Sequence, residues 1–192
     1  RGANMSTEEI LVCAVELGEN FCLYFAGLEC DAFCREKILN GCLCNVNSQL
    51  LVVRPDLNLA AFEDVTDQEM YSGHGMHFSI HYYKHTAISA GTPVAFSVRV
   101  QNKSYYMCCE KERGKMIVRF REGEVPRDIP GQSNAIFFQK SFTSYSPRAF
   151  KFEYSLEQGM FLAFEEEGYL RKLILKKLPR EDEVDETTKI TM

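Results

Sequence analysis

From Ser48 onward, apolar residues recur at every second position or in short continuous runs, and the intervals between runs carry turn formers. QLLVV (49–53), HFSIHYYK (77–84), VAFSVRV (94–100), SYYMCC (104–109) and KMIVRF (115–120) predict strands. So do AIFFQKSF (135–142), AFKFEYSL (149–156), MFLAFEE (160–166) and LRKLILKK (170–177), with LAAFED (59–64) and TKIT (188–191) as weaker signals. The breaks are RPD (54–56), SGHG (72–75), SAGTP (89–93), REGEVPRDIPG (121–131), SYSPR (144–148) and EQG (157–159). About ten to twelve short strands with no long amphipathic helix between them predict an all-β single domain. A barrel, a sandwich and a trefoil all satisfy this pattern. Helical spacing occurs only near the start, where EEILVCAVEL (8–17) sets Ile10, Ala14 and Leu17 on one side.

A chain of 192 residues holds one well-cored domain and a short appendage. Fourteen Phe and nine Tyr without Trp agree with strands. The net charge of −5 argues against nucleic acid as a partner, because phosphate binding needs a basic surface. No apolar run approaches the roughly 20 residues that span a bilayer, so membrane insertion is not expected. Met5 reads as the natural start, leaving 1–4 as an appendage. From Met5 through Cys30 there is no Lys or Arg, and Glu8, Glu9, Glu16 and Glu19 break up the apolar residues. A secretory signal needs a basic start and an unbroken apolar stretch, so a cytoplasmic chain without a signal peptide is expected. Six of the eight cysteines fall in the first 44 residues, and reduced thiols are the expectation for that compartment.

All four histidines fall within 74–85. On a strand, His77, His81 and His85 share one face, while Phe78, Ile80 and Tyr82 point into the core. The row reads as a solvated polar face, with metal chelation as the alternative. Cys30, Cys34, Cys42 and Cys44 fit zinc-site spacing only in part and read as thiols of a mobile connecting stretch. No nucleophile elbow, Walker loop, dinucleotide fingerprint or H-E-x-x-H motif is present, so no enzyme and no cofactor are expected. RKLILKKLPR (171–180) followed by EDEVDE (181–186) reads as a charged turn whose acids offset its bases.

AFEDVTD (61–67), AIFFQKS (135–141), FKFEYSLEQGMFLAFEEE (150–167) and LRKLILKK (170–177) resemble the interleukin-1 cytokine family. The likeness runs from Asn45 to about Lys177, and its most specific part is Phe152, Glu153 and Ser155 followed by Phe161, Leu162 and Ala163. The resemblance implies a twelve-stranded β-trefoil, acting as a monomer. It also implies a leaderless precursor cut by an inflammatory caspase and then secreted. In Leu28-Glu29-Cys30-Asp31 an aspartate is preceded by an apolar residue and Glu and followed by small Ala32, which suits such a cut. A protease cleft takes an extended, accessible segment. The expected organisation is a pro-segment over 5–31 and a mature trefoil over 32–192.

The mature part is expected to bind a two-chain interleukin-1-type receptor, a receptor chain joined by an accessory chain, with a soluble binding protein as a further partner. NF-κB signalling and interferon-γ induction would follow. Receptor contacts carry over to Asp67 in FEDVTD, Arg121 in RFRE, and Lys140 with Ser141 in FFQKS, and more loosely to Arg35. Asp182-Glu183-Val184-Asp185 adds an executioner-caspase tetrapeptide whose cleavage would detach the last strand. Two other readings fit the body: a heparin-binding growth-factor-like trefoil and an intracellular interaction module.

Overall fold

The structure, a computed structural model, describes the backbone of residues 13–17 and 23–26 and all of 32–72, 75–85 and 91–192. In the first part, β1 (Cys13–Leu17) pairs antiparallel with β2 (Leu23–Ala26) in a sheet of its own. This corrects the helix expected over 8–17 wherever that segment is described. A ten-residue helix is marginal alone, whereas LYFA (23–26) is a strand-forming partner for the ladder.

Thirteen strands form the main sheet. In order they are β3 (Ala32–Gly41), β4 (Leu50–Arg54), β5 (Leu59–Glu63), β6 (Phe78–His85), β7 (Thr92–Val100), β8 (Lys103–Glu112) and β9 (Lys115–Glu122). There follow β10 (Asp128–Pro130), β11 (Phe137–Ser141), β12 (Ala149–Tyr154), β13 (Met160–Glu167), β14 (Leu170–Lys177) and β15 (Ile190–Thr191). One short helix, α1 (Asp67–Ser72), lies between β5 and β6.

Pairing follows a threefold plan. β3–β6, β6–β7, β7–β11, β11–β12 and β12–β15 are successive neighbours, and a bridge from Thr191 to Cys44 returns to the segment following β3. These six strands close a barrel. The hairpins β4–β5, β8–β9 and β13–β14 cap it, one for each group of four strands. A closed six-stranded barrel with three capping hairpins is a β-trefoil, and β10 is an extra strand laid along the start of β3.

Two cores result. Inside the barrel pack Leu43, Leu51, Phe78, Phe96, Phe137, Phe152, Leu162 and Ile190, each nearly sealed from water. Burying side chains of this kind stabilises by about 1.5–3 kcal/mol each. A second cluster of Phe33, Tyr83, Ala95, Val125, Ile129 and Ile136 lies on the other face of β6 and β7. It seals the face that the alternation of β6 assigned to solvent, and Tyr83 and His81 are buried there. The covering comes from residues 124–130, which the sequence presents only as a turn.

Strand β3 is the other departure. AFCREKILNG has no period-two alternation, and the stretch around its cysteines reads as a mobile connection. It forms the first barrel strand because β6 offers a full ladder, from Phe33 opposite His85 to Gly41 opposite Phe78. The loop before β6 docks on β4 through Val53 N–H donating to Gly75 O at 2.7 Å. Gly75 has φ +78, and a Cβ there would run into the Val53 carbonyl, so only glycine fits.

Candidate functional site

The family-derived contact residues are spread over the barrel rim and caps. Arg35, on β3, reaches His81 Nδ1 with its guanidinium at 3.4 Å. Asp67 is exposed at the first residue of α1, where an acid suits the positive end of a helix. Thr66 caps that turn through a hydrogen bond from Glu69 N–H to its Oγ1 at 3.2 Å, and Glu69 accepts from Thr66 N–H at 2.8 Å. Arg121, exposed on β9, forms a two-pronged pair with Glu110 of β8 at 2.7 and 2.6 Å. The Arg121 hydrogen bond holds the Glu110 carboxyl below the usual range. Ser141 is exposed at the end of β11.

Lys140 stands apart from these. Its side chain is only 12 % exposed and donates to Glu153 Oε1 at 3.0 Å and Glu181 Oε1 at 2.7 Å. Burial alone would lower its pKa, but the two carboxylates raise it above the ordinary lysine value. Glu153 is buried and also accepts from Gly159 N–H at 3.0 Å. The ammonium therefore neutralises an interior carboxylate and ties down the acidic run.

That run is latched a second time. Lys151 Nζ donates to Glu181 O at 2.7 Å, and Lys176 Nζ pairs with Asp185 at 2.6 Å. Asp185 caps a single turn of 3-10 helix (Glu186–Thr188) by accepting from Thr187 N–H at 2.9 Å. Burial works against its ionised form, yet Lys176 and Thr187 together keep its carboxyl below the ordinary aspartate range. Asp182 is exposed, while the Asp185 side chain is 16 % exposed and fully engaged.

The three described histidines do not gather. His81 is 5 % exposed, with Nε2 2.8 Å from Ser97 Oγ, and burial followed by the nearby Arg35 charge pushes its pKa down to about 4. His85 stacks on Phe33 with ring centroids 4.1 Å apart. His77 is exposed and turns to Cys42 and to the Met70 carbonyl. A strand separates alternate residues by almost 7 Å, and here each ring has found its own neighbours, so the alternative of a chelating row does not form, while burial of His81 corrects the solvated face expected for it. Among the described residues, no three His, Cys, Asp or Glu side chains are placed to share a metal. Cys34 is disulfide-bonded, which departs from the expectation of reduced thiols, whereas Cys42, Cys44, Cys108 and Cys109 are free.

Of the expected cleavage segment only Ala32 is described, and it opens β3 opposite Pro130. Leu28, Glu29, Cys30 and Asp31 lie outside the described residues. Sequence reading missed a cavity of about 380 Å³ beside α1, lined by Val52, Arg54, Glu63, Asp64, Glu69 and Met76 among others. Its acids come from one short stretch, 56–69, which folding sets beside Met76 and Val100. The excess of Asp and Glu over 56–69 was the one signal that could have pointed to it.

The closed barrel with three caps defines the class of protein, a β-trefoil. Residues 72–191 match the Interleukin-1 / 18 family. Interleukin-18 of Gallus gallus is 77% identical, over 96% of this chain and 94% of that protein. Interleukin-18 of Bos taurus is 32% identical over 90% and 88%. Among solved structures, chicken interleukin-1β superposes with a TM-score of 0.62 at 18% identity, covering 83% of this chain and 97% of its own. Interleukin-36α gives a TM-score of 0.52 at 18% identity, over 81% and 94%. These structural likenesses speak to the fold. The chain belongs to the interleukin-1/18 family of cytokines, a family that works by binding and not by catalysis.

Proposed function

We propose that this chain is an interleukin-18-type cytokine precursor, held in the cytoplasm and cut after Asp31 by an inflammatory caspase. The part from Ala32 onward is then released as a monomer. It binds an interleukin-18-type receptor chain, recruits an accessory chain, and so drives NF-κB signalling and interferon-γ induction. The observation that carries this reading is the 77% identity to chicken interleukin-18 across 96% of the chain. The acidic, base-free stretch from Met5 to Cys30, ending where the first barrel strand begins, supports the division into pro-segment and body.

Asp67, Arg121 and Ser141 present exposed polar groups from three separate elements, and Arg35 adds a partly exposed cation. These are the groups we assign to receptor contact. Lys140 serves the same surface indirectly, by fixing Glu181 beside Ser141's strand. Digestion with an inflammatory caspase, wild type beside Asp31→Ala, followed by a receptor-bearing reporter cell, tests the reading. One cut before Ala32 that switches on signalling, and is lost in the variant, is expected. Equal signalling before and after cutting would remove the inhibitory pro-segment, and silence from both forms would remove the cytokine assignment.

A further inference from the structure

The chain contains one Asn-Gly pair, Asn40-Gly41, and the fold places it at the end of the first barrel strand. Every other asparagine is followed by a residue with a side chain. A following glycine leaves its backbone nitrogen unshielded and free to turn. Gly41 has that freedom here, since a Cβ placed on it meets nothing within 4 Å. Asn40 is exposed, and its carboxamide oxygen Oδ1 accepts from Ser79 Oγ at 2.9 Å.

We propose that Asn40-Gly41 is a site of self-modification, where the backbone closes on the Asn40 carboxamide and deamidates it. The Gly41 nitrogen gives up its proton and attacks Asn40 Cγ. A new C–N bond forms, negative charge gathers on Oδ1, and the Cγ–Nδ2 bond then breaks to release ammonia. The product is a cyclic succinimide. Water adds to either ring carbonyl and opens it, leaving aspartate or isoaspartate at position 40. Water is the co-reactant, and nothing is oxidised or reduced. The Ser79 hydroxyl already donates to the atom that gains charge, so it stabilises the attacked state as an oxyanion donor does.

The ladder opposes closure, because an extended residue 40 points the Gly41 nitrogen away from the Asn40 side chain. Gly41 opposite Phe78 is the last pair of β3 with β6, however, and β10 covers only Ala32 to Cys34 at the other end. Opening one terminal pair is a local motion of small cost. It frees the Asn40–Gly41 bond to turn while Asn40 stays opposite Ser79. Isoaspartate then routes the main chain through the former side chain and lengthens it by a carbon. Just beyond, Leu43 enters the core and Cys44 makes the bonds to Thr191. An added backbone atom acts there as a bulge does and displaces the pairs that follow. The modification thus loosens the barrel seam as the protein ages. This inference does not depend on the cytokine reading.

Incubation of the folded full-length chain at neutral and mildly alkaline pH, followed by peptide mapping with mass spectrometry, tests the site. Isoaspartate and aspartate should accumulate at position 40 ahead of every other asparagine, and faster as pH rises, because the attacking nitrogen must lose its proton. Gly41→Ala should suppress them, and the open space at Gly41 keeps that variant folded. Ser79→Ala should slow the folded chain by about two- to tenfold, the share of one hydrogen bond, and leave the rate in urea equal to that of wild type. The isoaspartate form, separated by ion exchange, should unfold at a lower urea midpoint. Conversion in urea but none in the folded chain would mean that the ladder keeps the site closed, and would overturn the proposal. An unchanged folded rate in Ser79→Ala would remove the assistance from Ser79, and an unchanged midpoint would remove the effect on the seam.

Discussion

Cys44 and Thr191 hold each other by reciprocal backbone hydrogen bonds of 2.9 and 2.8 Å, and this pair closes the barrel. The closing strand β15 has only two residues, yet Ile190 within it is 1% exposed and sits in the central core. Ile190→Ala should therefore cost about 2–5 kcal/mol, read from the urea midpoint at unchanged slope. A cost under about 1 kcal/mol would mean that the seam contributes little.

Acid should weaken the fold through His81. Its folded pKa of about 4 lies below the ordinary value of 6.5, with Ser97 and Arg35 against the ring and Glu124 nearby. Above pH 6.5 both states leave it neutral. As pH falls from there toward 4, the unfolded chain takes up a proton that the folded one refuses, and stability drops by about 3 kcal/mol. Denaturant titrations of wild type and His81→Gln across this window should show the difference, with the variant lacking that share of the slope.

Lys140→Ala should be strongly destabilising, by about 3–5 kcal/mol, because it leaves the Glu153 carboxylate buried without its cation. The double variant with Glu153→Gln should recover part of the loss. Were Lys140→Ala to leave the melting temperature unchanged while lowering receptor binding, its ammonium would be a direct contact and the interior pairing would be incidental.

Arg121→Ala should behave in the opposite way. Its pair with Glu110 is largely exposed, and pairs of that kind contribute about 0–1 kcal/mol. Thermal stability should hardly move, while affinity for the receptor chain, measured by surface plasmon resonance on the form beginning at Ala32, should fall. Unchanged affinity would remove Arg121 from the contact surface.

The Asp185 bond should resist an executioner caspase while the domain is folded. Its carboxylate is held by Lys176 and Thr187, and a protease pocket must first strip those partners away. Mass spectrometry should find no fragment ending at Asp185 under native conditions, and should find one after Lys176→Ala loosens the turn. Rapid native cleavage would show that the latch opens easily.

Most of the trefoil was legible because barrel strands β6, β7, β11 and β12 and cap strands β13 and β14 carry short apolar runs between turn formers, a local signal. The spread of ladder partners explains what was not. β3 owes its strand form to β6, more than 35 residues later in the chain, and β10 owes its own to β3. The β1–β2 pairing likewise overrode a helical spacing too short to stand alone.

The candidate site divides along the same line. Residue types, the all-β class and the family signature around Phe152 and Glu153 were readable from the chain. Tertiary structure alone decided that Lys140 faces inward to Glu153, that His81 is buried, and that Cys42 meets His77. A sequence records which groups are present and how they alternate along a strand. Whether the second face of that strand is covered depends on segments distant in the chain, and that covering sets burial and charge pairing.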